Sequence, residues 1–121
     1  MPTIISRSEW GARQPTNRTM VPREKRRAFV IHYDDASPTS RTGPDVPRSI
    51  QRFHQDDRGW ADIGYNFVVD QNGQIFEGRG WDVLGAHAGP GGNAEGIGVQ
   101  VHIGGDQQPS TAAIEALRWL Y

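Results

Sequence analysis

Four histidines, His32, His54, His87 and His102, together with Tyr65, Arg79 and Trp81, are the side chains of this 121-residue sequence best suited to chemistry. An imidazole can ligate a metal, move a proton or close a buried hydrogen bond, and its structural element decides which. His32 falls in RRAFVIHYDDASPT, where Phe29, Ile31 and Tyr33 alternate with Val30 and His32 at the two-residue period of a strand. An Asp/Ser/Pro/Thr run ends that strand, which places His32 near the carboxyl end of a buried strand. Three readings are open there: metal ligand, catalytic base, or core histidine with a satisfied bond. No two histidines stand at HExxH spacing. His54, next to Phe53, reads as a partly exposed structural histidine on a helix flank, and His102, alternating with Val101 and Ile103, as a structural strand residue. His87 differs, because the glycines of GAHAGPGG free the backbone to approach a ligand closely. Tyr65 opens a strand after a turn in GWADIGYNF and could simply pack with its hydroxyl reaching water. Arg79 and Trp81, in FEGRGWDVLGAHA, suit a carboxylate and a sugar or aliphatic stem. Composition and spacing alone support a cleft with His, Tyr, Arg and Trp on its loops.

The elements that would position these residues follow from the pattern. EWGARQPTNRTMVP reads as an irregular, turn-rich lead-in. After the first strand a loop becomes a helix, with Pro47 in its first turn, Val46, Ile50, Phe53 and Asp57 at helical spacing, and Gly59 as its stop. Tyr65–Val69 and Gln74–Glu77 flank Asn72-Gly73 and predict a hairpin. GIGVQVHIGG is a further strand. PSTAAIEALRWLY begins a helix capped by Ser110, with Ala113, Ile114, Leu117, Leu120 and Tyr121 on one stripe and no stop signal. Strands separated by helices, with one internal hairpin, predict a mixed α/β fold with a single central sheet flanked by helices.

Length allows one domain, residues 1–121, with a modest core. A formal charge of −1 gives no general case for nucleic acid or an anionic membrane. The local cluster Arg18, Arg23, Lys25, Arg26 and Arg27, interrupted by Glu24, reads as a solvated edge. The absence of cysteine excludes disulfides, thiolate metal ligands and thiol nucleophiles. The amino terminus carries no apolar run of signal-peptide length, so a role at the cell wall or outside a cell would require separate export or release. These observations leave localisation open.

Taken in order, SRSEWGARQP, FVIHY, FHQDDRGWADIGYNFVVDQNGQIFEGRGWDVLGAHA and GIGVQVHIGG resemble the peptidoglycan recognition proteins and type 2 N-acetylmuramoyl-L-alanine amidases. The resemblance runs from Ser6 to Tyr121 and is most specific between Gly59 and Ala88. It implies a zinc hydrolase that cleaves the amide between N-acetylmuramic acid and L-alanine, or a recognition module that binds peptidoglycan without cleaving it. It further implies that His32 is a zinc ligand and that Tyr65 positions water or stabilises the transition state. His87, Arg79, Trp81, Asn93 and Trp60 would line a muropeptide groove. The pair Gly80-Trp81 resembles the variant associated with diaminopimelate-type stems. The family's second histidine ligand and its cysteine or aspartate ligand lie after the last helix. The resemblance therefore reads this chain as carboxyl-terminally incomplete, without the last strand and helix and inactive by itself, with His32 the one zinc ligand present.

Overall fold

The lead-in carries more order than its composition suggests. Ser6 and Glu9 form a reciprocal capping box, in which the Ser6 side chain accepts from the Glu9 N–H and Glu9 accepts from the Ser6 N–H at 3.0 Å. They start α1 (Arg7–Trp10) directly after β1 (Ile4–Ile5). Trp10 is buried, and its indole N–H donates to the Glu77 carbonyl at 2.8 Å, tying the segment to the sheet. The computed structural model describes residues 3–33, 41–104 and 107–121. The run expected to end the first long strand lies within 34–40, outside those residues.

The remaining elements are β2 (Ala28–Tyr33), α2 (Asp45–Arg52), β3 (Phe67–Val69), β4 (Ile75–Glu77), α3 (Gly89–Glu95), β5 (Gly96–Val101) and α4 (Thr111–Leu120). They form a mixed α/β fold around one five-stranded sheet of order β1-β4-β3-β5-β2. Among the strand pairs of the described residues, only β3–β4, the hairpin, is antiparallel. Its turn is longer than a two-residue link. Asp70 Oδ1 accepts from the N–H groups of Asn72 and Gln74 at 3.0 and 2.9 Å, and Gly73 supplies the positive φ of 79°.

β2 alternates as expected but is an edge strand, paired only with β5 among the described residues. Ile31 and Tyr33 are 51% and 57% exposed, so the expected burial of this strand is corrected. α4 is capped as predicted, Ser110 Oγ accepting from Ala113 N–H at 3.0 Å. Its buried stripe is Ala113, Ala116 and Leu120, with Leu117 partly buried, while Ile114 and Tyr121 face outward. α3 falls where a glycine-rich loop was expected.

The two faces of the sheet carry different cores. Phe67, Val69, Ile75, Val99 and Val101 pack under α4. Val68 and Phe76 meet Trp10, Val46, Ile50 and Ile63 on the α1–α2 side. Arg26 departs most from its sequence reading. Its guanidinium donates to the carbonyls of Trp81, Val83, Asn93, Ala94 and Gly96, at 2.6 to 3.2 Å. It is a clamp between the 81–83 segment and α3, because a five-donor fork can serve a concave set of carbonyls that no other side chain could satisfy.

Candidate functional site

α2 covers only part of its sheet face, and the remainder is a groove of about 690 Å³. The end of α2 shapes one wall. Residues Phe53–Asp57 form a π turn, in which the Arg58 N–H donates to the Phe53 carbonyl at 3.2 Å. The extra residue rotates the register. Phe53, at helical spacing with Val46 and Ile50, is 46% exposed, and His54 turns inward and is buried. The reading of His54 as a partly exposed flank residue is therefore corrected. Its Nδ1 accepts from the Gly64 N–H at 2.8 Å, which fixes the proton on Nε2. Burial first, then the nearby Arg58 and Arg79 charges, push its pKa down to about 4.

From His54 a belt of rings crosses the groove. His54 packs against Trp60 at a 48° tilt with centroids 4.5 Å apart and lies 5.7 Å from Tyr65. Tyr65 is 5.5 Å from His32, and His32 is 5.0 Å from His87. His32 Nε2 and His87 Nδ1 are hydrogen-bonded at 3.0 Å. Burial lowers the His32 pKa, and burial together with the His32 charge pushes that of His87 down to about 4. At neutral pH the belt therefore carries neutral imidazoles, able to donate and accept hydrogen bonds.

The loop holding His87 is fixed by Asn93, whose Oδ1 accepts from the N–H groups of both His87 and Ala88 at 2.8 Å. Arg58 stands at the rim, its guanidinium 5.1 Å from the Phe53 ring centroid and 5.3 Å from that of Trp60. Gln100 and His102 contribute polar groups to the groove lining. His102 was read as a plain strand residue. It lies just past β5, where its N–H donates to the Val69 carbonyl at 2.9 Å.

The structure thus brings His32, Tyr65, His87, Asn93 and Trp60 together and adds His54, Arg58 and His102. The signal for His54 was weak, since a π turn has no sequence signature and helical spacing pointed to Phe53. Arg79 and Trp81 are placed elsewhere. The Arg79 guanidinium donates to the Ile63 and Leu84 carbonyls at 2.7 and 2.9 Å, and it lines a second cleft with Arg7, Arg13 and Asp62. Trp81 packs on Phe67 and Phe29 on the α4 side of the sheet.

A catalytic zinc needs about three protein ligands and an open position. Among the described residues, no three His, Asp or Glu side chains are placed to hold a metal ion. His32 supplies a single ring nitrogen, so the described residues do not form a zinc site by themselves.

An α/β sheet domain with an open groove of histidines and aromatics on one face is the architecture that known proteins must match. A family described as N-acetylmuramoyl-L-alanine amidase matches residues 22–121, and the chain belongs to that family. It is 43% identical over 99 residues to peptidoglycan-recognition protein SC2 of Drosophila melanogaster, covering 80% of this chain and 53% of that protein. It is 38% identical over 124 residues to the human N-acetylmuramoyl-L-alanine amidase, covering 97% of this chain and 21% of that one. Among solved structures it is similar to peptidoglycan recognition protein-LE in complex with tracheal cytotoxin, a monomeric diaminopimelic acid-type peptidoglycan. That likeness has a TM-score of 0.86 at 33% identity and covers 97% of this chain and 70% of the other. The chain spans about half the length, or less, of these curated relatives. No helix of the described residues is long and apolar enough to cross a membrane.

Proposed function

We propose that the groove binds muropeptide, the sugar–peptide unit of bacterial peptidoglycan. The observation that carries this reading is the set of rings Trp60, His54, Tyr65 and His87 lining an open groove, with His32 packed against Tyr65 and His87. Aromatic faces suit the apolar faces of sugars and the aliphatic stem, and neutral imidazoles and Asn93 suit its amides. Arg58, stacked on Trp60, is suited to a stem carboxylate. A diaminopimelate-type stem is favoured by the likeness to the recognition protein-LE complex, since Trp81 lies on the other side of the sheet.

The finer reading is hydrolysis of the amide between N-acetylmuramic acid and L-alanine, for which members of the family use zinc to activate water. In it Tyr65 donates its hydroxyl proton to the oxyanion as it develops, favouring the transition state over the ground state. His32 belongs to this centre, and the described residues supply no further metal ligands to it.

Calorimetric titration of a diaminopimelate muropeptide into the protein tests the binding reading. We expect a saturable isotherm, weakened about tenfold or more by Trp60→Ala and unchanged by Trp119→Ala on α4. Absence of binding, or equal loss in the two variants, overturns the reading. Release of stem peptide from digested cell wall, lost in Tyr65→Phe, tests the hydrolytic part.

A further inference from the structure

The end of α2 inverts the usual partition of its side chains. Val46 and Ile50 are buried on the inner stripe, and positions 53 and 54 come next along it. Polarity alone would bury the phenyl of Phe53 and expose the imidazole of His54. The structure does the reverse, leaving Phe53 exposed on the groove rim and burying His54. The inversion coincides with the π turn Phe53–Asp57, a rare geometry that is frequent at functional sites. A segment that gives up helical regularity and apolar burial at one place is a place to look for a role outside packing.

What the turn sets against the phenyl is Arg58. The bond that closes the turn runs from the Arg58 N–H to the Phe53 carbonyl at 3.2 Å, so the backbone ties the two residues together. Their side chains meet as well. The guanidinium carbon lies over the Phe53 ring, 5.1 Å from its centroid, and over the Trp60 ring, 5.3 Å from its centroid. Asp56 and Asp57 precede Arg58 in the chain, yet it pairs with neither. Asp56 is bonded to Arg13 at 2.8 Å, and among the described residues the Arg58 side chain makes no ion pair or hydrogen bond. Arg26 is the contrast, its fork filled by carbonyls. Rings take up the faces of a guanidinium and leave the N–H groups in its plane unspent. Arg58 thus stands at the groove with its fork open, held by contacts that do not compete for it.

We infer that Phe53 is a positioning residue for Arg58: the π turn brings the phenyl out to the groove rim, where it and Trp60 hold the guanidinium with its fork open to a carboxylate of the ligand. In a sugar–peptide unit the free acids lie on the stem, so the group read at this rim is a stem carboxylate. A two-pronged pair with a carboxylate requires the fork in one orientation, and holding it there beforehand removes an ordering cost from binding. This deepens the groove reading above, on which it rests.

The first arm of the test needs no ligand. In 15N relaxation measurements on the folded protein, the Nε–H of Arg58 is expected to be restricted in the wild type and in Phe53→Tyr, and markedly more mobile in Phe53→Leu. The ring is half exposed, so both variants are expected to fold. Equal mobility in the wild type and Phe53→Leu overturns the inference. The second arm compares, by calorimetric titration, a diaminopimelate muropeptide with the same unit amidated at its stem carboxylates. The wild type is expected to prefer the free acid about tenfold, and Phe53→Tyr to keep that preference. Phe53→Leu and Arg58→Gln are expected to lose most of it, with affinity for the amidated unit little changed. A preference undiminished in Phe53→Leu overturns the inference, and so does an equal loss of affinity for both units. An Arg58 held by Phe53 in a protein that binds neither unit upholds the positioning and overturns the proposed function, so the two fail separately.

Discussion

The two faces of the sheet are built from alternate residues of the same strands, yet one is sealed and the other is open. Under α4 the inward positions are Phe67, Val69, Ile75, Val99 and Val101, all apolar and buried. On the opposite face the same strands present Val68 and Phe76, then Asn66, Gly98, Gln100 and His32. α1 and α2 close over Val68 and Phe76 and stop there. The difference shows how a small domain divides its labour. One face supplies the area that drives folding. The other keeps buried polar groups in place through hydrogen bonds such as those of Asn66, which uses both its side chain and its backbone between Gly80, Val83 and Gly98.

Three substitutions or conditions probe this division. Phe67→Ala, on the sealed face, is expected to cost about 3–5 kcal/mol of stability by leaving a cavity, measured by denaturant unfolding. Ligand affinity of the protein that remains folded should be unaltered, and a matching loss of affinity would break the distinction between faces. Gly98→Ala, on the open face, should cost less, about 1–3 kcal/mol, because the new β-carbon must displace the His87 ring. Its signature is loss of muropeptide affinity out of proportion to the stability change.

The smallest expected effect is the pH dependence set by His54. Its pKa is about 4 when folded and near the ordinary value of 6.5 when unfolded, so the unfolded chain takes up the proton first as pH falls. Stability is therefore full above about pH 6.5 and declines towards pH 4. The loss is about 2 kcal/mol once screening in an open groove is allowed for. Unfolding curves across that window should flatten in His54→Gln, and an undiminished slope would show that other groups carry it.

Much of the fold could be read from the residues, because its signals are local. The hairpin followed from Asn72-Gly73, α4 from Ser110, and the alternation of β2 from Phe29 to Tyr33. The capping box of Ser6 and Glu9 was equally local and was overlooked within a turn-rich segment. The misplacements were of another kind. Arg79 and Trp81 are two residues apart from each other and directly follow the hairpin, which suggested a shared role in a groove. One instead crosses to the Ile63 and Leu84 carbonyls while the other folds onto Phe29 and Phe67. Arg26 looked like one cation in a solvated run, because the carbonyls it satisfies come from residues 55 to 70 positions later.

By itself the sequence determined the family, the mixed α/β class, the hairpin and cap positions, and His32, Tyr65 and His87 as candidate partners. These rest on periodicity, turn chemistry and motif order, all carried by neighbours along the chain. Tertiary structure decided which strand is an edge, that His54 is buried while Phe53 is exposed, and which nitrogen of His32 meets His87. Such choices depend on strand order, on a register shift of one residue at the π turn, and on hydrogen-bond partners distant in sequence. No local signal carries them, because the energies that select them exist only once the chain has closed on itself.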